Sequence, residues 1–446
     1  MKLRLRYLLQ FGFLALTIYG VFVLNAHCER WCPFGGVESI YSYVNEGAAL
    51  CSIGTSNFFI LGGVLLSVVL ARRVFCSHAC PIGTISEWTG RLGRSTGLPQ
   101  WKPGGRTDAV LRLLKYPVLA VILYFTYRAG ELIFRGFDPC YALIGRHGED
   151  ITYWAYVVAG AILVCSLLIS LPFCRWLCPL AAVMSPLSRL GLLRVRRDGD
   201  TCKDCGLCAK KCPMSIPIDQ VKQASEARCT LCLECQGACP VGENRPLSVG
   251  AAIGPAARRG GASLLVAIII LGCLAAAVIL AEQNPLPSLV KTREGVDSPA
   301  EYESIELKVE NLKCRGSANR LWYFLDRQDL FHLPGYLKFE AWPGPGMAAI
   351  RVTFDPSQTD VEAVKQAIVE PIFVIPEDGP ADHMDSDPMA GDDLGHIEQS
   401  PFKIEGYEPV PDDDLPPIPE DLDLPGGMDL PGMDDPMLNG TDMPGI

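Results

Sequence analysis

Two groups of four cysteines near the middle of the chain constrain its fold and chemistry more than any other feature. Each has the spacing Cys-x-x-Cys-x-x-Cys-x-x-x-Cys-Pro, and together they comprise Cys202, Cys205, Cys208, Cys212, Cys229, Cys232, Cys235 and Cys239. Three thiolates from one such loop can bind a [4Fe-4S] cluster whose fourth ligand comes from elsewhere. In a two-cluster arrangement that ligand is exchanged, which assigns Cys239 to the first loop and Cys212 to the second. A pair of structural zinc sites is the alternative, but eight cysteines with both prolines in register favour two clusters, in a domain spanning residues 199–245.

A second motif, Cys-x-x-x-Cys-Pro, occurs at three further places. The copies at Cys76 and Cys80 and at Cys174 and Cys178 each follow an apolar segment and are each preceded by phenylalanine, which indicates an internal repeat. We expect these two loops to bring four thiols together on one face of a membrane. The alternatives there are a third [4Fe-4S] cluster and free reduced thiols.

A further set of four thiols flanks the opposite ends of the same apolar segments. It consists of Cys28 and Cys32, which form the remaining copy of the motif, with Cys51 and Cys140. A fourth cluster fits this set, and so does a disulfide or reactive dithiol at Cys28 and Cys32, since an outward face is oxidising.

Two lone cysteines and two histidines call for simpler interpretations. Cys165 and Cys273 lie without partners in apolar segments and are interpreted as small buried hydrophobes. His27 and His78 adjoin the motifs, and for both a hydrogen-bonding role is favoured over ligation.

Five apolar segments predict membrane spans in a chain that is 49% hydrophobic with a mean hydropathy of +0.21. They cover residues 7–24, 57–71, 111–126, 151–172 and 262–281. The first is interpreted as a retained anchor, the first four belong to a membrane domain over residues 1–198, and the fifth stands alone after the cysteine-rich domain. Basic residues concentrate at the N-terminus, in residues 72–106 and in residues 189–197, which are therefore expected to be cytoplasmic.

This arrangement predicts a multi-pass protein of a bacterial cytoplasmic membrane. The cysteine-rich domain would be cytoplasmic, and everything after residue 281 would be extracytoplasmic.

Beyond the fifth span, residues 303–375 alternate strand and helix patterns in βαββα order, which predicts a small α+β domain. The predicted strands cover residues 306–309, 336–340 and 348–354, and the predicted helices cover residues 317–327 and 360–369. Residues 376–446 are rich in aspartate, proline and glycine and are expected to form a disordered acidic tail.

The acidity of the whole chain comes from this tail. Residues 377–446 contain 20 acidic residues against the single base Lys403, so their net charge of -19 outweighs +8 elsewhere and gives -11 overall. The charge therefore gives no reason to expect a nucleic-acid partner. A copper-collecting tail and a solvated tether are the alternatives for its methionines, with the tether favoured; these are Met384, Met389, Met428, Met433, Met437 and Met443.

The cysteine-rich domain resembles the bacterial two-[4Fe-4S] ferredoxin over its full length. The Cys-x-x-x-Cys-Pro loops that lead into it resemble those of the membrane polyferredoxins, over roughly residues 7–281. That superfamily includes the quinol-dehydrogenase subunit of periplasmic nitrate reductase systems, the membrane electron donor of nitrous-oxide reductase and the copper-reducing assembly factor of a haem-copper oxidase. The resemblance implies electron transfer through the membrane to an extracytoplasmic acceptor, with redox partner proteins on both sides.

Residues 303–375 look like a heavy-metal-associated domain, which has a ferredoxin-like α+β fold. The resemblance lies in the segment from Leu307 to Ser317 and in Val352-Thr-Phe-Asp-Pro-Ser. That family binds Cu(I) through two cysteines, whereas here Ser317 takes the second position, and its hard oxygen does not suit a soft cation. We expect a docking module in which Cys314 is at most a weak metal ligand, together with Met347 or a partner thiol.

The sequence thus predicts an α-helical membrane protein with an inserted two-[4Fe-4S] ferredoxin domain and a C-terminal α+β domain. Its predicted function is electron transfer between a cytoplasmic or quinol donor and an extracytoplasmic partner, with one or two further [4Fe-4S] clusters at the membrane faces. Two functions of other classes stay open: a copper-handling or copper-reducing assembly factor for a respiratory enzyme, and an iron-sulfur redox sensor.

Overall fold

A computed structural model describes residues 3–24, 31–46, 54–101, 103, 105–129, 133–145, 152–241, 246–251, 256–257, 259–293, 302–313, 315–327, 332–344, 346–374 and 396–407. The chain divides into two compact units, Met1–Ser288 and Leu289–Ile446. The first contains every cysteine predicted to bind a cluster, and the second contains Cys314.

Apolar helices form the framework of the first unit. Three helical stretches are long and apolar enough to cross a membrane, namely Leu5–Phe22, Gly105–Arg128 and Gly261–Gln283. Two shorter apolar helices, Ser56–Ala71 and Tyr153–Leu168, coincide with the second and fourth predicted spans. All five predicted segments are therefore helical, and among the described residues three helices have the length of a full crossing.

Short helices connect the long ones and carry the cysteine motifs. In chain order the helices of the first unit are α1 (Leu3–Phe22), α2 (Pro33–Glu46), α3 (Gly54–Ala71), α4 (Phe75–His78), α5 (Pro81–Ser95), α6 (Gly105–Leu111), α7 (Lys115–Ala129), α8 (Pro139–Ile144), α9 (Tyr153–Leu168), α10 (Pro172–Trp176), α11 (Pro179–Leu190), α12 (Leu207–Lys211), α13 (Glu234–Ala238) and α14 (Arg259–Gln283). Single 3-10 turns cover Ile133–Phe137 and Ile218–Gln220.

The series α3, α4, α5 recurs as α9, α10, α11, in agreement with the predicted repeat. In each series an apolar helix is followed by a short helix that carries the first cysteine of the motif, and then by a helix that begins directly after the second cysteine. Pro81 and Pro179 occupy the first helical positions of α5 and α11, where proline's missing N–H leaves no helical hydrogen bond unmade. The motif is thus a helix start with a cysteine at the capping position.

Small residues let these helices approach each other closely. A Cβ on Gly63 of α3 would lie 2.7 Å from the Cβ of Ala277 in α14, and one on Gly93 of α5 would lie 2.1 Å from the carbonyl oxygen of Leu167 in α9. The hydroxyl oxygens of Ser86 and Ser166 lie 2.7 Å apart across the same contact between α5 and α9. Close packing at small residues is the usual way in which apolar helices associate in a membrane.

The cysteine-rich domain is closed by a small antiparallel sheet. Its order is β1 (Arg194–Arg197), β2 (Leu247–Gly250), β3 (Ala256–Ala257), and Val195 pairs with Val249. Since β1 precedes the first cysteine loop and β2 follows the second, the sheet joins the two ends of the domain.

The second unit is an antiparallel sheet with two helices packed on it. Its sheet order is β10-β5-β7-β6-β4, and the core contains Leu321, Phe324, Val352 and Ile368. Its elements are β4 (Leu289–Thr292), β5 (Glu303–Glu310), α15 (Arg315–Leu325), β6 (Tyr336–Trp342), β7 (Ala348–Phe354), α16 (Val361–Val369), β8 (Ile372–Val374), β9 (His396–Glu398) and β10 (Lys403–Ile404). The predicted βαββα order is present, with each element within a few residues of its expected position.

The second unit is larger than the sequence predicted. The strand β4 precedes the predicted boundary at residue 303, and β9 and β10 lie inside the region expected to be a disordered tail. Phe402 and Ile404 are buried in the core, and Ile404 of the edge strand β10 pairs with Val309 of β5. A prediction of disorder from average composition was therefore wrong for residues 396–407, because a few apolar side chains suffice to complete a sheet edge. The tail methionines lie outside the described residues.

Candidate functional site

The two cysteine loops of the ferredoxin-type domain have the same backbone conformation. Asp204 and Leu231 have φ of 46°, while Gly206 and Leu233 have φ of 67° and 61°. The two residues of each pair occupy equivalent positions in the two loops, because they are as far apart in sequence as the corresponding cysteines. In both loops, therefore, the residues directly before and after the second cysteine have left-handed backbone conformations. Such turns direct successive backbone N–H groups into one concavity, which suits a negatively charged group.

The second loop and Cys212 bring four thiols together, of which Cys229 and Cys235 are buried and Cys212 and Cys232 are partly exposed. Burial raises the pKa of the Cys235 thiol well above its usual value, and the neighbouring Cys232, Cys212 and Cys229 raise it further. Burial likewise raises the pKa values of Cys229 and Cys232 to about 11. The structure therefore brings Cys212 to the second loop, as ligand exchange requires, while the assignment of ligands stays a prediction.

The first loop is more open to solvent. Cys205 is exposed, and Cys202, Cys208 and Cys239 are partly exposed. Burial raises the pKa of Cys208, with a smaller contribution from Cys202. The two halves thus share a backbone but differ in exposure.

The repeated motifs bring together the four thiols Cys76, Cys80, Cys174 and Cys178, which we call the inner quartet. Burial raises the pKa of Cys174 well above its usual value, and so do the other three thiols. Cys80 and Cys178 occupy the N-cap positions of α5 and α11, and the backbone N–H of Gly83 donates to Cys80 Sγ over 3.5 Å. A helix N-terminus stabilises a thiolate at such a position.

Arg73 connects the inner quartet to the second ferredoxin loop. Its guanidinium donates to the carbonyl oxygen of Cys174 over 3.0 Å and lies 3.9 Å from Cys76 Sγ. Its backbone N–H donates to the carbonyl oxygen of Cys229 over 3.3 Å, and the hydroxyl of Ser77 donates to the backbone carbonyl oxygen of Thr230 over 2.7 Å. The sequence counted Arg73 only as one of the basic residues that set orientation, and no spacing signal marked its contacts.

Two buried charge networks attach the same loop at both of its ends. In the first, Asp108 of α6 lies 2.5 Å from Arg175 of α10 and 2.9 Å from Arg228, which directly precedes Cys229. In the second, Glu234, which directly precedes Cys235, lies 2.7 Å from Arg6 of α1 and 2.9 Å from Arg91 of α5. We call these the Asp108 network and the Glu234 network.

The structure describes half of the outer cysteine set. Cys32 Sγ lies 3.9 Å from Asp138 Oδ2, and the backbone N–H of Cys140 donates to Asp138 Oδ1 over 2.8 Å, so both cysteines meet at one carboxylate. Cys28, Cys51 and His27 lie outside the described residues.

An apolar cavity of about 320 Å³ connects the two sets of cysteines. Its wall includes Cys32 and Cys140 of the outer set and Cys80 and Cys178 of the inner quartet. Among the described residues that line it, Asp138 alone carries a charge.

Glu38 is a further buried acid, close to the outer cysteines, that sequence reasoning did not single out. Thr126 Oγ1 donates to Glu38 Oε1 over 2.8 Å and the backbone N–H of Phe134 donates to it over 3.2 Å. Burial nevertheless raises the pKa of this carboxyl to about 7.

The remaining candidates differ in outcome. His78 is buried, lies 2.9 Å from Ser77 Oγ through Nδ1, and has a pKa lowered to about 3 by burial, which suits a neutral hydrogen-bonding residue. Cys273 is buried, but Cys165 is exposed on α9, so the interpretation as a buried hydrophobe was wrong for Cys165, which points away from the helix packing. Cys314 lies outside the described residues, and Met347 is exposed. Ser317 Oγ accepts a hydrogen bond from the backbone N–H of Lys313 over 2.9 Å.

The donor sets fit iron-sulfur clusters better than a single ion. Among the described residues no three His, Cys, Asp or Glu side chains converge as the ligands of one metal ion would. The thiolates of a cubane bind different iron atoms and lie farther apart. Burial that raises thiol pKa values also means that thiolates need a compensating positive charge, which bound iron provides.

Comparison with known proteins agrees with these sites. A family model described as a 4Fe-4S binding domain matches residues 53–99 and again residues 151–198, which are the two copies of the repeat. The chain is 31% identical over 282 residues to the putative electron transport protein YccM of Escherichia coli K12, an alignment that covers 58% of this chain and 75% of YccM. The chain belongs to the membrane polyferredoxin family.

Other members of this family align over the same region. Identity is 30% over 169 residues with the regulatory protein NosR of Pseudomonas aeruginosa, covering 37% of this chain and 23% of NosR. It is 29% over 189 residues with the ferredoxin-type protein NapH of Haemophilus influenzae, covering 40% of this chain and 62% of NapH. No solved structure matches the chain. As a member of this family, the chain is an iron-sulfur electron transport protein that carries [4Fe-4S] clusters.

Proposed function

We propose that this protein relays electrons across the bacterial cytoplasmic membrane, from its ferredoxin domain or from quinol to an extracytoplasmic acceptor. The observation that carries the proposal is the apolar cavity whose wall contains cysteines of both the inner quartet and the outer set. Arg73 extends this series to the second ferredoxin loop. A hydrocarbon layer is about 30 Å thick, so a conductor needs redox centres at intermediate depths.

The proposal assigns each set of thiols to one cluster. Cys202, Cys205, Cys208 and Cys239 hold the first, and Cys229, Cys232, Cys235 and Cys212 hold the second. The inner quartet holds the third, and Cys32 and Cys140 with Cys28 and Cys51 hold a fourth at the outer face. Bound [4Fe-4S] clusters supply one-electron transfer at these positions.

The residues of the chain prepare these sites in three ways. Helix N-termini at Cys80 and Cys178 partly offset the rise in thiol pKa that burial causes. Burial of Cys76, Cys174, Cys229 and Cys235 keeps water away from these sulfur atoms. The two charge networks hold the second ferredoxin loop beside the inner quartet.

The proposal takes all five apolar helices as spans, with the ferredoxin domain on the cytoplasmic side and the second unit on the outer side. The second unit then serves as a docking module for the acceptor, and this role is favoured over copper carriage because Ser317 already accepts a hydrogen bond from its own loop. Quinol is a candidate donor because the apolar cavity presents Asp138 as a polar group within an otherwise uncharged wall.

The test is a cluster count on anaerobically purified full-length protein, followed by electron transfer in vesicles. We expect about sixteen irons per chain, about four fewer after Cys174→Ala with Cys178→Ala, and about eight fewer after serine replaces the ferredoxin cysteines. Cys165→Ala, which removes a lone exposed cysteine, should change neither the iron count nor the transfer rate. About eight irons in the wild type, with none lost on altering the inner quartet, would refute the transmembrane relay.

The vesicle assay separates the relay from a redox sensor, and the copper content of the purified protein separates it from a copper-handling factor. Protein with its ferredoxin domain outside vesicles should reduce an enclosed acceptor when dithionite is supplied outside, and the inner-quartet variant should not. A redox sensor would keep its clusters without sustained transfer.

A further inference from the structure

A second cavity lies between the ferredoxin domain and the membrane helices, and it is strongly basic. Its volume is about 750 Å³, and its wall comes from α1, α5, α10, α12 and the loops around them. Five basic side chains and two acidic ones line it. The basic residues are Arg91, Arg94, Arg175, Lys210 and Lys211.

The two acidic residues of the wall do not offset this charge. Glu87 and Glu234 are both bonded to Arg6 and Arg91, so the Glu234 network is neutral in itself. Arg94 and Lys211 form no ion pair in the part of the chain that the structure describes. The cavity therefore keeps a net positive charge after its internal pairs are counted.

Arg175 is an independent indication of an anion-binding site. Its side chain is 2% exposed, and it contacts Asp108 and, over 3.3 Å, the hydroxyl of Ser215, which also lines the cavity. Its buried Nε has no hydrogen-bond acceptor among the described residues. An unmade hydrogen bond of a buried charged group is costly, so such a group is normally satisfied by a partner.

The rest of the wall indicates the class of ligand. Guanidinium groups match the oxygens of a phosphate group, and a volume of this size is typical of sites for a molecule larger than a simple ion. Trp101, which is exposed on the same wall, offers an apolar face for the body of that molecule. The backbone N–H of Trp101 donates to the carbonyl oxygen of Leu168 at the end of α9, so the cavity lies where an apolar helix ends.

We propose that this cavity binds a phosphate-bearing anion, either the headgroup of an anionic phospholipid from the adjoining leaflet or a soluble phosphate ester. Arg94, Lys211 and Arg175 hold the phosphate, and Trp101 contacts the rest of the molecule. The site borders the second ferredoxin cysteine set, because Cys212 lies on its wall; no other described cysteine of the proposed cluster sets lines it.

The experiment measures binding and does not depend on cluster content. Full-length protein in phosphatidylcholine nanodiscs is titrated with ADP by calorimetry. In parallel, protein from nanodiscs containing phosphatidylglycerol is examined by native mass spectrometry for retained lipid. The test variant is Arg94→Gln with Lys211→Gln, and the matched control is Lys222→Gln, an exposed lysine of the same domain that does not line the cavity.

We expect one of the two probes to bind at one per chain, and the double variant to bind at least tenfold more weakly while Lys222→Gln is unchanged. Retention of phosphatidylglycerol alone identifies a lipid headgroup, and binding of ADP alone identifies a soluble phosphate ester. Absence of binding by both probes, or equal binding by the wild type and the double variant, overturns the proposal.

Discussion

Neutralising Asp108 should loosen the second ferredoxin loop from the membrane helices. Asp108 is 4% exposed and compensates three arginines, at 2.5 Å for Arg175, 2.9 Å for Arg228 and 3.3 Å for Arg112. Arg228 and Arg112 also contact Glu226, but Glu226 precedes the same loop, so Asp108 is the acid that connects Arg228 to α6. Breaking a buried pair by removing one partner costs about 3–5 kcal/mol, because the other charge stays buried.

The assay is amide hydrogen exchange of the full-length protein, read on peptides that cover residues 226–235. If these amides exchange through undocking of the loop, a loss of about 3–5 kcal/mol in Asp108→Asn raises the opening constant by about two to more than three orders of magnitude. Asp200→Asn, which alters an exposed acid of the same domain, should leave the exchange rates unchanged.

A double-mutant cycle tests whether the effect passes through the ion pair. Asp108→Asn and Arg228→Gln should together cost less than the sum of their separate costs, because both remove the same contact. Unchanged exchange at residues 229–235 in Asp108→Asn would refute the view that this network docks the loop.

Three further predictions concern helix packing, electrostatics and pH. Gly63→Ala should lower the free energy of unfolding by about 1–3 kcal/mol, and with it the thermal midpoint, because the added Cβ would overlap α14. In the control Gly62→Ala the added Cβ has nothing within 4 Å, so that change should be neutral or slightly stabilising. Arg73→Gln should lower the midpoint potential of the cluster bound by the inner quartet by on the order of 50 mV, measured by redox titration with EPR, and Arg73→Lys should retain most of the potential because it keeps the charge. Glu38 has a folded pKa of about 7 against 4.5 for a free glutamate, so its contribution to stability is full below pH 4.5 and is lost as the pH rises through 7. The loss amounts to about 3 kcal/mol in the free energy of unfolding. The thermal midpoint of the wild type should therefore fall over this pH range, and that of Glu38→Gln should not show this fall.

The sequence predicted elements better than it predicted the contacts between them. Cysteine spacing identified the ferredoxin-type domain and the repeat because the ligands of a cluster must lie close together along a loop. Apolar segments located five helices of the first unit, three of which are long and apolar enough to cross a membrane, and alternation located β5, β6 and β7 of the second unit. These patterns involve residues that are close together along the chain, so they can be recognised in a single sequence.

Contacts between distant segments left no such signal. Arg73, Asp108 and Glu234 look like ordinary surface charges in the sequence, and only the fold reveals that each is partnered across more than one element. The prediction of disorder was wrong for residues 396–407 for a different reason. The average composition of the acidic segment around them hid the two apolar side chains that complete the sheet. Contacts between residues that are distant in sequence therefore could not be predicted from this one sequence.

The two ferredoxin loops share a backbone but not an environment, and this difference bears on the direction of the relay. The second loop is anchored at Arg228 and at Glu234 and is bonded through Arg73 to the inner quartet. The first loop presents Cys205 to solvent and has Lys203 beside it, also exposed. A rigid, buried contact suits transfer within one protein, where the partner is always present, whereas an exposed cluster site with nearby positive charge suits transient encounter with an acidic electron carrier. Under the proposed relay, this asymmetry favours the first loop for exchange with a soluble carrier and the second for exchange with the membrane domain, as expected of a ferredoxin domain that is a fixed terminal of the relay and not a mobile shuttle.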